Sequence, residues 1–118
     1  MGEITAIVRG KAKDYDAFAA LAERVCALVE KNEPGTLRYE CFGDAENAQF
    51  VWHEVYRDGP AFLQHNQNLF EAGIIEEVGQ LVDFDGMTVL GNVTDPDVQE
   101  VLEQMGAQVL NRQVGVVR

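Results

Sequence analysis

A histidine, a glutamate and several large aromatic side chains lie close together along this chain, and those are the types that move protons in apolar surroundings. In the segment Phe50-Val51-Trp52-His53-Glu54-Val55-Tyr56, strand alternation puts Trp52, Glu54 and Tyr56 on one face and His53 on the other. His65 follows in a helical stretch, with Asn66 and Asn68 beside it. Imidazole is the side chain that titrates near neutrality, so His65 suits the part of a general base. Glu54 could orient that base or a substrate hydroxyl, and Asn66 and Asn68 could donate hydrogen bonds. The competing reading is structural: Trp52 and Tyr56 as core, Glu54 paired inside the fold, and His65 as a hydrogen-bonded residue of a helix. Asp83 and Asp85 alternate onto one strand face and read as solvated carboxylates.

Other chemistries lack their parts. The chain contains no serine, so a serine triad is impossible, and neither Cys26 nor Cys41 has an obvious histidine companion. Both cysteines read as small packed hydrophobes, and a disulfide is not expected in a reducing compartment. His53 and His65 have no third convincing ligand and no helical i, i+4 partner, which argues against a metal centre. No Gly-x-Gly-x-x-Gly follows a strand, which argues against a dinucleotide. Nine basic residues against twenty acidic ones give a net charge of −11. That field repels nucleic acid and anionic membrane, and it favours a neutral or weakly ionised substrate over a phosphorylated one.

Short elements must position these side chains. Residues 3–10 are apolar and β-branched, as in a buried first strand. Asp14 then caps a helix in which Tyr15, Phe18, Leu21, Val25 and Leu28 recur at three and four residues, with Ala22 and Val29 widening the stripe. Glu33-Pro34-Gly35 ends it. Residues 36–43 and 49–57 form a hairpin with a longer loop. Asp58 caps a second helix running to about Asn68, whose continuation over 69–79 is broken or bent near Gly73. Residues 81–93 read as a long strand with a bulge or bend at Gly86, 97–105 as a helix stopped by Gly106, and 108–117 as a last strand.

The order is β-α-β-β-α-β followed by a short α-β appendix. Its first six elements are the ferredoxin-like split βαβ arrangement, an α+β fold with both helices on one face of an antiparallel sheet. At 118 residues the chain makes one domain; we divide it into a core, 1–94, and a helix–strand extension of the same domain, 95–118. Strand 49–57 has no purely polar face, so the sheet needs cover on both sides, and a second copy of the sheet is the simplest cover. A homodimer is therefore expected. The first residues, Met-Gly-Glu-Ile-Thr, have neither the basic start nor the apolar run of a signal peptide, and the expected location is the cytoplasm.

Three segments carry a family resemblance. Glu33-Pro34-Gly35-Thr36-Leu37-Arg38-Tyr39-Glu40 resembles the Glu-Pro-Gly-x-Leu-x-Tyr segment of the antibiotic-biosynthesis-monooxygenase family. Residues 50–56 resemble its following strand, in which an acidic residue precedes an aromatic one by two positions. Ala61-Phe62-Leu63-Gln64-His65 resembles its second-helix segment, which commonly carries a histidine at this place. The resemblance covers roughly residues 3–93. The resemblance implies a dimeric α/β barrel with a cleft between sheet and helices in each subunit. It also implies cofactor-free oxidation of quinols, anthrones or related phenols by dioxygen.

On that footing, Trp52, Tyr56, Tyr39 and Asn66 are expected to bind a small aromatic substrate, with His65 as base and Glu54 as its partner, and no cofactor is expected. A non-catalytic binding or accessory protein on the same barrel is the alternative, and a cofactor-free isomerase or cyclase is a third reading. Haem degradation, also found among the relatives, calls for an axial histidine in the segment Phe70-Glu71-Ala72-Gly73-Ile74-Ile75, which has none. The segment after Val93 lies outside the pattern, with edge protection or dimer contact as its expected role.

Overall fold

In the computed structural model, which describes residues 2–118, nine elements follow one another. They are β1 (Ile4–Ala12), α1 (Tyr15–Asn32), β2 (Thr36–Asp44), β3 (Gln49–Tyr56), α2 (Gly59–Glu71), α3 (Ile74–Leu81), β4 (Val82–Leu90), α4 (Pro96–Gln104) and β5 (Gln108–Leu110). Side-chain caps set the helix starts. The Asp14 carboxylate accepts from the Ala17 N–H at 3.1 Å, and the Asp58 carboxylate from the Ala61 N–H at 2.9 Å, with Pro60 in the first turn. Phe18, Leu21, Val25 and Val29 form the buried stripe of α1. The helix stops where the Glu33 N–H takes the Val29 carbonyl at 2.9 Å, because Pro34 has no N–H to continue the ladder. Gly73, at φ 73°, sits in the left-handed region between α2 and α3. The bend expected there is thus a complete break into two helices.

The strands are ordered β2-β3-β1-β4-β5. The first four pair antiparallel, which is the ferredoxin-like arrangement, with α1 and α2 on one face. Strand alternation buries Phe50, Trp52, Glu54 and Tyr56 beneath the helices. In register, Tyr39 of β2 and Ala6 of β1 flank Glu54. A bulge in β4 sets Gly86 opposite Arg9 and Phe84 opposite Gly10, so Asp85 is the extra residue. The bulge separates the two aspartates expected on one face. Asp83 lies 3.8 Å from Lys13 at the surface, and Asp85, unpaired at the bulge, borders the cavity.

The last strand departs from the sequence reading in length and direction. It covers Gln108–Leu110 alone and runs parallel to β4, pairing with Thr88, Val89 and Leu90. A parallel partner that starts opposite Thr88 runs past the end of β4 after three residues, so among the described residues, 111–117 have no strand partner. Helix α4 is the crossover that parallel pairing requires, and its Val98 and Leu102 pack with Ile4, Ala6, Tyr56, Phe62 and Val89 in one cluster. The other sheet face carries half-buried Ile7, Val51 and Val55 and exposed Phe42 and Leu90, with no element of the described residues above them. No described helix is long and apolar enough to cross a membrane.

Candidate functional site

Helices α1, α2 and α3 do not close completely on the sheet. They leave a cavity of about 700 Å³, walled by apolar side chains such as Phe18, Leu21, Phe62, Leu69 and Val78. Tyr39 enters it from β2, Trp52 and Glu54 from β3, and His65 and Asn66 from α2. Helical spacing accounts for the last pair, since Phe62, His65, Asn66 and Leu69 recur at three and four residues on the cavity side of α2. Tyr56, expected in the lining, does not reach it. It is fully buried behind Glu54, and its hydroxyl donates to the Glu54 carboxyl at 2.6 Å. His53 points to the open sheet face, with Nδ1 3.6 Å from a Glu40 oxygen.

The partner of His65 is Glu33, not Glu54. Nδ1 of His65 lies 2.8 Å from Glu33 Oε1, and both side chains are almost completely buried. The Thr36 hydroxyl donates to the same carboxylate at 2.8 Å, and the Asn68 amide donates to its second oxygen at 3.2 Å. Burial pushes the Glu33 carboxyl up, but the donors from His65, Thr36 and Asn68 outweigh it and hold the group below the usual glutamate range. An ionised carboxylate only accepts, so Nδ1 carries a proton, and in the neutral imidazole the lone pair is on Nε2. Among the described residues, no side-chain nitrogen or oxygen is both sealed and without a hydrogen-bond partner. Among the described residues Nε2 has no hydrogen-bond partner, so it is not sealed, and the space that His65 borders is the cavity.

Glu54 has the opposite electrostatics. Burial raises its carboxyl above the usual range, against the opposing pull of His65 and the Tyr56 hydroxyl. Tyr39 is raised well above 10, first by burial and then by the nearby Glu54 charge, so it keeps its hydroxyl proton. Its ring centroid is 4.7 Å from that of Trp52 and 4.9 Å from that of His65. Asn66 donates to the Phe62 carbonyl at 2.9 Å. The cavity therefore presents an imidazole held in one tautomer by Glu33 and a carboxyl raised by burial, both at its lining. That is the equipment of acid–base chemistry in a dry site.

The electrostatics of Glu54 set up a stability prediction. Folding favours the protonated form of this carboxyl, so its stabilising contribution is present below the ordinary value of 4.5 and is lost as pH rises through the higher folded value. Glu54→Gln keeps the shape and the acceptor for Tyr56 while removing the charge. The variant is expected to be more stable than the parent at pH 8, by about 1 kcal/mol or roughly 4 °C in Tm, and to lose that advantage near pH 4. Thermal melts at the two pH values check this; a lower Tm for the variant at pH 8 would contradict it.

Residues 4–70 match the family model for antibiotic biosynthesis monooxygenase. The chain belongs to this family. Among curated proteins, none matches the sequence. Of the solved structures, MupZ from Pseudomonas fluorescens superposes with a TM-score of 0.86 at 23% identity, over all of this chain and 96% of that one. SnoaB, a cofactor-independent oxygenase from Streptomyces nogalater, gives 0.67 at 15% identity over 81% of this chain and 98% of its own. Rv0793 from Mycobacterium tuberculosis gives 0.57 at 24% identity, with 80% and 99% covered. At these identities the likeness carries the fold of antibiotic biosynthesis monooxygenases. The arrangement of Glu33, His65 and Glu54 is read from this chain's own geometry.

Proposed function

We propose that this member of the family is a cofactor-independent monooxygenase acting on a quinol-like or polycyclic phenolic molecule. The observation that carries this reading is His65, locked by Glu33 so that Nε2 is free at an aromatic-lined cavity. Nε2 takes the proton of a phenolic hydroxyl, giving an electron-rich anion that reduces dioxygen itself. At an anthrone-like carbon, a carbon–oxygen bond forms to give a hydroperoxide. The proton remaining on that carbon is then removed, its electron pair forms the carbonyl as the O–O bond breaks, and the departing oxygen takes up a proton and leaves as water. In this reading Glu54, whose carboxyl is raised by burial, supplies a proton to the departing oxygen, and the Tyr39 hydroxyl hydrogen-bonds the developing anion.

The pairing of a raised carboxyl with a free imidazole favours one further reading, a cofactor-free isomerase or cyclase. There His65 removes a proton and Glu54 returns one, with no net oxidation. Oxygen uptake by metal-stripped protein, over a panel of hydroquinones and anthrones, separates the two. Uptake above the uncatalysed rate, one dioxygen per substrate, supports the monooxygenase. Conversion without uptake moves the assignment to the isomerase or cyclase. Neither uptake nor conversion moves it to a binding protein.

The assembly that goes with this reading is a homodimer formed through the open sheet face. Ile7, Phe42, Val51, Val55 and Leu90 make that face too apolar to stand in water unpartnered. Light scattering should return twice the 13.1 kDa of one chain. A 13.1 kDa species at micromolar concentration would overturn the dimer.

A further inference from the structure

The helix–strand extension lies beyond residues 4–70, which match the family model, yet it reaches the cavity. Met105 and Gly106, at the end of α4, line the same space as His65 and Glu54. Two other parts of the outer wall also lie beyond residue 70: Ile75 on α3 and Phe84 beside the β4 bulge. Ile75, Phe84 and Met105 are each about half exposed, so they form an apolar rim on the cavity rather than part of the sealed core.

The extension fixes the backbone that carries Met105. At the end of α4, the Gly106 N–H bonds the Glu103 carbonyl and the Ala107 N–H bonds the Leu102 carbonyl, both at 3.0 Å. This double closure needs a left-handed residue at Gly106, whose φ is 69°. Below the turn, Val98 and Leu102 are buried to 1% exposure or less in the cluster that also contains Phe62 and Tyr56. Beyond it, β5 is pinned by its ladder to β4 and by the Gly91 N–H on the Leu110 carbonyl at 3.1 Å. Met105 is therefore set at the cavity by backbone geometry, and its flexible thioether side chain can follow ligands of different outline.

We propose that the extension is the specificity element of this cavity, with Met105 as its contact residue. Its substrate is an uncharged amphipathic molecule longer than one ring. The polar, reacting end lies at His65 and Glu54, and an apolar remainder lies along Ile75, Phe84 and Met105. Charge supports the class: no lysine or arginine lines the cavity, and its carboxylates are Glu54 and Asp85, so an anionic ligand would find no counter-charge. Size supports it too, since about 700 Å³ is far more than one phenol ring fills. The inference rests on the reading that this cavity holds the substrate, but it does not depend on the reaction type.

Trp52 is the single tryptophan of the chain and lines the cavity, so its fluorescence reports binding without turnover. The probes are 4-alkylphenols from methyl to octyl, with 4-octylbenzoate as the charged counterpart. In the parent, affinity is expected to rise by up to about fourfold per methylene as the chain crosses the rim. 4-Octylbenzoate is expected to bind at least tenfold more weakly than 4-octylphenol. Met105→Ser should leave 4-methylphenol within twofold and weaken 4-octylphenol about tenfold, while Met105→Leu keeps the parent series. Equal loss at all lengths, no loss at any length, or equal binding of the benzoate would overturn the proposal. Absence of binding across the series would remove the cavity reading as well. A normal binding series without oxygen uptake would remove only the monooxygenase and leave this inference standing.

Discussion

Replacing His65 by asparagine is expected to lower turnover by a factor of about 10²–10⁴ while ligand affinity stays within a few-fold. Asparagine is the informative choice because its amide nitrogen sits one bond from Cγ, as Nδ1 does in the imidazole. It can donate to Glu33 across the 2.8 Å contact that His65 makes now. What it cannot supply is Nε2, the proton acceptor at the cavity. His65→Ala should lose activity to the same extent and should also unfold more easily, because it strands a buried carboxylate. Oxygen uptake gives the rate and Trp52 fluorescence the affinity. An asparagine variant with the parent's rate would remove His65 from the chemistry, whatever it did to stability.

Much of the fold was legible because its signals are local and periodic. Asp14 and Asp58 act as the caps their positions announce, the apolar period of α1 gives its buried stripe, and alternation through 50–56 gives the buried face of β3. The reading failed where a boundary depends on a distant partner. Residues 111–117 have the composition of a strand, yet β5 ends at Leu110 because its neighbour β4 ends at Leu90. Periodicity within a segment carries no information about the length of the strand beside it. The bulge at Asp85 has the same character: Gly86 flags it, but only the register with Arg9 and Gly10 decides that Asp83 and Asp85 part company.

The site divides in the same way. His65, Glu54, Trp52, Tyr39 and Asn66 meet at one cavity because each lies on an element whose facing side the pattern reveals. Tyr56 shares the alternation of Trp52 and Glu54 but lies one step further along β3, under Phe62 and α4, where the sheet is covered. Glu33 was missed because Glu-Pro-Gly reads as a helix stop, and a carboxylate at a helix end is normally solvated. The available signal was a charged residue held between the last turn of α1 and a strand only three residues on, with Thr36 close enough in sequence to bond it. Asn68 was read as a hydrogen-bond donor beside His65, but its acceptor, Glu33, was not, and Met105 was missed because it joins the site through tertiary contact alone.

Glu33 is therefore the residue on which stability and activity are expected to converge, and two substitutions separate the contributions. Glu33→Ala strands the Nδ1 proton of His65, the Thr36 hydroxyl and the Asn68 amide, and it opens a gap in a sealed region. The expected cost is about 3–5 kcal/mol, a large share of what holds a domain of this size together. Glu33→Gln keeps the volume and one acceptor oxygen, so a smaller loss of about 1–2 kcal/mol is expected. It removes the charge that fixes the tautomer, however, so turnover should fall roughly 10²–10⁴-fold with ligand affinity nearly unchanged. Acid unfolding supplies the third readout. The Glu33 carboxyl lies below its ordinary 4.5, so its contribution is present above that value and is lost as pH falls through the folded value. The parent should lose stability steeply over that range, and Glu33→Gln should show a shallower slope. If the glutamine variant keeps both the parent's acid limb and its turnover, the Glu33–His65 contact neither stores the stability nor sets the base.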